Sequence, residues 1–303
     1  MNSTTDVILR SAQNYKIVAA ISVFFALLAV LISILIITIV LATKHLHTTT
    51  HLLICNTSLA SILYCIVQCN NYSYVLFFTW DKSDQSCRWR GYFGYLAMIA
   101  CVYCYLLQVL SRFIYIIFSS DHRRLSSLKI HWCAIGIVWI VIFALPLPAL
   151  LTNDIYFREG FLCWVPKRAM LHTIYIVIAY YTLPTVLIIV IYVIVNVRMH
   201  STSNEASAIG RRTRRVRHLE IFRNIMISFS IYFLGGVPYM LFMITNVELL
   251  YTMGVISVTV AITTEKLCAI YIHREIRAAV KKTICQRRIQ VMPLGRNVAT
   301  IHG

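Results

Sequence analysis

The chain has 303 residues, 59% hydrophobic and only 13% charged, with a formal net charge of +17. A soluble domain carries about 45–50% apolar and about 25% charged residues, so the composition excludes an ordinary soluble protein and points to the bilayer. The cations fall between apolar runs, where Arg and Lys meet anionic headgroups, so membrane lipids and not nucleic acid are the expected partners.

In chain order, the polar start MNSTTDVILRSAQNY precedes an apolar run too long for the core of a cleavable leader. Residues 1–16 are therefore read as an N-terminal tail. A helix needs roughly 20 apolar residues to cross a bilayer. Uncharged stretches cover 17–43, 45–80, 91–111, 130–153, 169–197 and 224–247. A seventh, 249–264, reaches about residue 272 only if Glu265 and Lys266 lie inside the membrane. The expected fold is an all-α membrane protein, a seven-transmembrane helix bundle over 17–273. The loop 198–223 starts polar and becomes an Arg-rich helix start. In the tail 274–303, Ile276, Ala279, Val280 and Ile284 recur at helical spacing with cations between them. That pattern predicts a short amphipathic eighth helix lying on the membrane surface.

Orientation follows from the Lys and Arg of the loops. With the N-terminus outside, 19 of the 28 fall in inside segments and 8 outside, Lys266 being within a span. The expected location is the plasma membrane, multi-pass, with the N-terminus extracellular and the C-terminus cytoplasmic. Asn2-Ser-Thr is the N-glycan candidate on the outside tail; Asn71-Tyr-Ser lies close to the membrane, and Asn56-Thr-Ser falls within span two. Seven of the ten Cys lie in spans, and Cys285 is cytosolic, a candidate for palmitoylation or a plain reduced thiol. That leaves Cys87 and Cys163 outside, and two thiols in an oxidising compartment suggest one disulfide.

Several landmarks stand in one register. Trp80 lies seven residues before Cys87, and Arg112 lies 25 after it. Trp139 sits mid-span four, followed by Pro146 and Pro148; Pro184 precedes Tyr192 by eight; span six has Pro238. Leu46, His47 and Thr48, then Asn56 and LAS at 59–61, occupy the first inside loop and span two, and HREIRAAV starts the last helix. In this joint spacing the chain, from 17 to about 285, resembles the rhodopsin-like (class A) G-protein-coupled receptors. The resemblance implies a receptor that passes an extracellular ligand signal to a heterotrimeric G protein, with no enzymatic activity and no cofactor or metal. It implies that Arg112 sits at the inner mouth of the bundle, held at rest and released when span six swings out. Tyr192, Pro238, Glu265 and Lys266 fall at other activation positions of the family.

The chain departs from the family where the activation relay should be. Ser111 replaces the acid before Arg112 and Phe113 the tyrosine after it; Gly235 and Gly236 stand in FLGGVPYM where span six has its aromatic switch; Ser61 and Ser33 replace the interior Asp and Asn. The last span's Asn-Pro-x-x-Tyr aligns on Glu265, Lys266 and Ala269. Adjacent helical residues diverge by about 100° and pair poorly. Lys266 is therefore expected to stretch toward water near His273, and Glu265 to turn inward to Ser61, Ser33 or Arg112. Ser111 cannot hold Arg112 by charge, and twenty residues before Pro238 the chain has His218, so raised basal activity is expected.

The ligand is an unknown peptide or small neutral molecule. The family's amine-binding Asp aligns on Gly94, and the level of the retinal lysine on Ile256–Thr259. The upper bundle is rich in aromatic and hydroxyl groups, and Gly94, Tyr95, Met98, Tyr180, Tyr181 and Tyr239 are the pocket candidates. A seven-span transporter or channel is the alternative, carried by Glu265 and Lys266; the paired repeats and broken helices of transporters are not visible. A membrane enzyme finds no nucleophile–base constellation, and His172 shows no partner in the sequence.

Overall fold

The computed structural model describes residues 3–77, 84–117, 127–156, 163, 165, 169–203, 209–245 and 247–291. Helix α1 runs Ser3–Ala42, and a 3-10 turn at Lys44–Leu46 leads into α2, Thr49–Phe77. Helix α3 is Asp84–Ile117; α4 is Leu128–Ala144 and resumes after a turn as Leu147–Leu151. Helix α5 is built of Met170–Ile176, a π-helical stretch Val177–Thr182, and Leu183–Ser203. Then come α6, Ile209–Thr245; α7, Glu248–Ile272; and α8, Arg274–Val291. Seven of these helices are long and apolar enough to cross a membrane. The seventh continues through Glu265 and Lys266 to Ile272.

Two boundaries differ from the sequence reading. Helix α1 starts at Ser3, so the polar residues 3–16 are helical and continuous with the first span, which begins at Lys16. They contain no Gly or Pro, and extending an existing helix is cheap compared with nucleating one. Helix α8 turns Ile276 and Val280 onto α1, α2 and α7, against Ile32, Ile36, Ile54 and Ala269. Its apolar face is thus covered at least partly by protein, where the sequence reading gave it to lipid.

Helix α3 is the central element and packs on α2, α4, α5 and α6, while α7 closes the ring between α6 and α1. Prolines fall within three of its neighbours, and carbonyls near each are held from outside the helix. At the α4 break, the Phe143 carbonyl accepts the Tyr92 hydroxyl at 3.0 Å, and the Leu145 carbonyl accepts Tyr175 and Tyr180 at 3.0 and 3.1 Å. In α5 the Leu183 N–H bonds Ile178, one residue further back than in an α-helix. Pro184 has no N–H, so the Ala179 carbonyl is left over, and Tyr103 of α3 donates to it at 2.9 Å. Around Pro238, the Phe233 carbonyl accepts Tyr181 of α5 at 3.0 Å and the Gly235 carbonyl accepts Ser257 of α7 at 2.7 Å.

Helices α6 and α7 make the tightest seam. A Cβ on Gly235 would lie 2.3 Å from Ala261 Cβ and 2.9 Å from the Ser257 carbonyl, and one on Gly254 would lie 2.9 Å from the Tyr239 backbone. Only glycine lets the two backbones approach this far. Gly235→Ala should therefore lower stability by about 1–3 kcal/mol, as overpacking does. Gly136→Ala in α4, where a Cβ meets nothing within 4 Å, should be neutral or mildly stabilising. Thermal unfolding of both variants in the same detergent checks this; equal melting temperatures would show that the seam can relax.

Candidate functional site: an outer cavity, a buried ion pair and a buried arginine

One end of the bundle is marked by the disulfide, and the other by Arg112. At the first, Cys87 at the start of α3 is bonded to Cys163 of the connection before α5. Val165, two residues on, donates its N–H to the Tyr95 hydroxyl at 2.9 Å. A Cβ on Gly91 would lie 2.5 Å from Ile155 and 3.1 Å from the Cys163 carbonyl, so this connection rests directly on α3.

Beneath it lies a cavity of about 40 Å³ between α2, α3, α6 and α7. Four of the six pocket candidates meet there: Gly94, Tyr95, Met98 and Tyr239. Tyr180 and Tyr181 do not line it. Their hydroxyls are committed to the Leu145 and Phe233 carbonyls, so both serve the proline-containing helices. The sequence reading missed Gln68, Asn71 and Arg90, which do line it. Two amides three residues apart on one face of an uncharged span were the available signal. Asn71 is 7% exposed. Asn2 and the side chain of Cys285 lie outside the described residues. On the same end His172 does have a partner, Asp154, at 2.6 Å between Nδ1 and the carboxylate.

Midway down α7, Glu265 and Lys266 are both buried, at 4% and 1% exposure. Glu265 turns inward as expected, but its ion-pair partner is Lys266, at 2.9 Å. Ser61 instead donates to Thr57 of its own helix at 3.0 Å, and Ser33 has no hydrogen-bond partner. Lys266 does not reach for water. Its four methylenes let the ammonium fold back over the 100° between neighbouring Cβ directions, and in a dry interior an unpaired charge costs far more than that folding. The ammonium lies within electrostatic range of Cys55 and Cys65 of α2 and Cys101 and Cys104 of α3. The Glu265 carboxylate neighbours the Tyr105 phenol, outside hydrogen-bonding geometry.

At the other end Arg112 is 5% exposed and donates to the Thr50 hydroxyl in the first turn of α2. It is an interior group, not an arginine snorkelling to the interface. Ser111 faces α4: the Nδ1–H of His131 serves the Ser127 carbonyl at 3.1 Å, so Nε2 accepts the Ser111 hydroxyl at 2.8 Å. The last turn of α7 and the start of α8 close the region. His51 meets Glu275 at 3.4 Å and Arg274 meets Glu220 of α6 at 3.3 Å. Burial, with His51 and Arg112 nearby, holds His273 down to about 4, so its ring is neutral at pH 7. Thr48, Thr50, Glu220, Asn224, His273 and Glu275 line a cavity of about 120 Å³. Tyr192 stacks on Phe222 at 5.7 Å and ties α5 to α6.

Seven spans, a disulfide over one mouth and a buried arginine at the other define a membrane receptor of the seven-helix kind. Residues 32–274 match the 7 transmembrane receptor (rhodopsin family) pattern, and the chain belongs to that family. It is therefore a multi-pass membrane receptor and not an enzyme. It is similar to the neuromedin-K receptor of the rabbit, Oryctolagus cuniculus, at 27% identity over 193 residues, 61% of this chain. The match spans about two fifths, 39%, of that receptor's length.

The ion pair generates a test. Removing one member of a buried pair leaves a bare charge and costs about 3–5 kcal/mol, whereas removing both can be near neutral. Lys266→Met should accordingly depress thermal stability strongly, and the double variant Glu265→Gln, Lys266→Met should recover most of the loss. If the single and double variants melt together, the two charges are not coupled.

Proposed function

We propose that this receptor carries a signal from an extracellular ligand, held in the cavity at the disulfide end, to a heterotrimeric G protein that engages the arginine end. The plasma membrane is the proposed location, with the disulfide end and N-terminus outside and the C-terminus in the cytoplasm. The excess of Lys and Arg in the connections at the arginine end supports that orientation. A peptide or small neutral molecule is the proposed ligand, in keeping with the family and with a cavity whose lining contains no carboxylate.

The observation that carries the reading is Arg112. An always-charged guanidinium is kept 5% exposed at the foot of α3, where it donates to the Thr50 hydroxyl of α2. An always-ionised group kept in the interior at this end is a natural contact for a protein that docks there. The ion pair between α6 and α8, Glu220 to Arg274, is largely exposed and is worth at most about 1 kcal/mol. Weak restraint of this kind makes basal activity the natural readout.

Nucleotide exchange on a panel of purified G proteins, with the receptor in lipid nanodiscs and no ligand, tests the reading. Wild type should accelerate exchange on at least one member, and Arg112→Ala should return it to the empty-nanodisc rate. Glu220→Gln should raise it by no more than about fivefold, the equivalent of about 1 kcal/mol. Wild type indistinguishable from empty nanodiscs across the whole panel would rule out G-protein coupling.

A further inference from the structure

We infer that the cavity at the disulfide end recognises a carboxamide, paired with the side-chain amide of Gln68. This rests on the receptor reading above and names the chemistry of its ligand.

Gln68 is 7% exposed, lines the cavity, and its Oε1 is buried with no hydrogen-bond partner. A buried acceptor left unmade is costly, and the rarity of such groups makes each one informative. The neighbouring amide, Asn71, stands one turn further along α2 and is equally buried. The ligand group that meets a side-chain amide best is another amide, which supplies the missing N–H and also accepts from an NH₂.

Charge selects in the same direction. Among the described residues the lining contains no Asp or Glu, and Arg90 is its one formal charge. That guanidinium lies 3.9 Å from the centre of the Tyr74 ring, with its Nε–H directed to the Ser86 carbonyl at 3.4 Å. A ligand ammonium would find no carboxylate among the described lining residues, whereas a neutral amide needs none. Size sets the rest. A cavity of about 40 Å³ exceeds the about 10–15 Å³ that one water needs and falls well short of the about 300–1,000 Å³ of a drug-sized site. It takes an end group of a few heavy atoms, the remainder of the ligand lying toward Arg90 and Cys163.

Gly94 gives the means to close the site without disturbing the fold. A Cβ there meets only Asn71 Nδ2, at 3.8 Å, so Gly94→Leu fills the space in front of the two amides.

The experiment is saturation-transfer NMR on the full-length receptor in nanodiscs with five matched probes. These are propanamide, N-methylpropanamide, N,N-dimethylpropanamide, propanoate and propylammonium. Wild type should bind propanamide, N-methylpropanamide or both at least fivefold more strongly than the donorless dimethyl compound, and should not bind propylammonium. Binding of the secondary amide at full strength assigns the group to a peptide backbone; binding of the primary amide alone assigns it to a terminal carboxamide. Gly94→Leu should abolish the signal and Gln68→Leu reduce it at least fivefold. Gln68→Glu should invert the preference toward propylammonium. The inference is overturned if no amide binds, the donor to Gln68 then being water. It is equally overturned if propylammonium rivals propanamide in wild type, or if the amide signal survives Gly94→Leu. Should Gln68→Leu fail to fold, the wild-type ranking and Gly94→Leu decide. None of these outcomes depends on G-protein coupling, which the Arg112 exchange assay reads separately.

Discussion

In hydrocarbon, a carbonyl that loses its helical donor has no water to turn to. That constraint organises this bundle, because α4, α5 and α6 each contain proline within the membrane-spanning part. Near each of these prolines a carbonyl is met by a hydroxyl from a neighbouring helix: Tyr92, Tyr175 and Tyr180 at the α4 break, Tyr103 at α5, and Tyr181 and Ser257 on either side of Leu234 in α6. A tyrosine suits the task, since its ring packs like any core aromatic while its O–H reaches a backbone oxygen. Because each donor sits on a different helix from its acceptor, the same bonds that satisfy these carbonyls also fix α3, α4, α5, α6 and α7 relative to one another. The chain's wealth of tyrosine, 18 residues, is thus in good part a structural resource.

The interior charge follows another version of the same rule. Glu265 and Lys266 would each be prohibitive alone at this depth; together they form one neutral unit within a single helix turn. No neighbouring helix has to supply a counter-charge, which is consistent with serine at both 33 and 61. The cost is that the pair gives α7 no strong directional tie to α2 or α3. The ties that α7 makes include Thr263 to the Phe25 carbonyl of α1 at 2.9 Å, Ser257 to the Gly235 carbonyl at 2.7 Å and the glycine seam to α6.

Much of this was legible in the sequence, for reasons that differ residue by residue. The spans could be cut at their charges because a charge in hydrocarbon is expensive, and the observed helices cover most of each stretch, with further sequence extending α1, α3, α5 and α6. The disulfide followed from counting, since only two cysteines lay outside the spans and away from the cytosol. Tyr180 and Tyr181 could not be separated from Tyr95 and Tyr239, because nothing in a sequence says whether a hydroxyl will meet a ligand or a released carbonyl. The partner of Lys266 was misread because helical spacing rules describe Cβ directions, and a long flexible arm can override them. His172 and Asp154 lie 18 residues apart on either side of a loop, beyond the reach of any local pattern. Gln68 was missed because its one sequence signal, a second amide three residues on at Asn71, was read only as a sequon; its buried, unmatched oxygen is what distinguishes it.

The same contacts determine which part of α6 is easiest to move. Around Pro238 the helix is clamped on both sides: Gly235 and Tyr239 lie against α7 at backbone contact, and Tyr181 and Ser257 hold its carbonyls. Toward the arginine end the described contacts become softer. They include a stacked ring pair, Tyr192 on Phe222, and an exposed ion pair, Glu220 with Arg274, below the buried rings of Phe229 and Tyr232, which meet Tyr105 of α3 at 5.8 and 6.0 Å. An aromatic pair of this kind is worth about 0.5–1.5 kcal/mol beyond its burial, and an exposed ion pair about 0–1. Separating the two backbones at the seam would instead open a closely packed interface along its length. The soft contacts are therefore confined to the first turn of the span, at Glu220 and Phe222, while from Phe229 to Tyr239 the helix is held against α3, α5 and α7. Tyr239, one residue beyond Pro238, lines the cavity above, so the cavity meets α6 on its firmly held stretch.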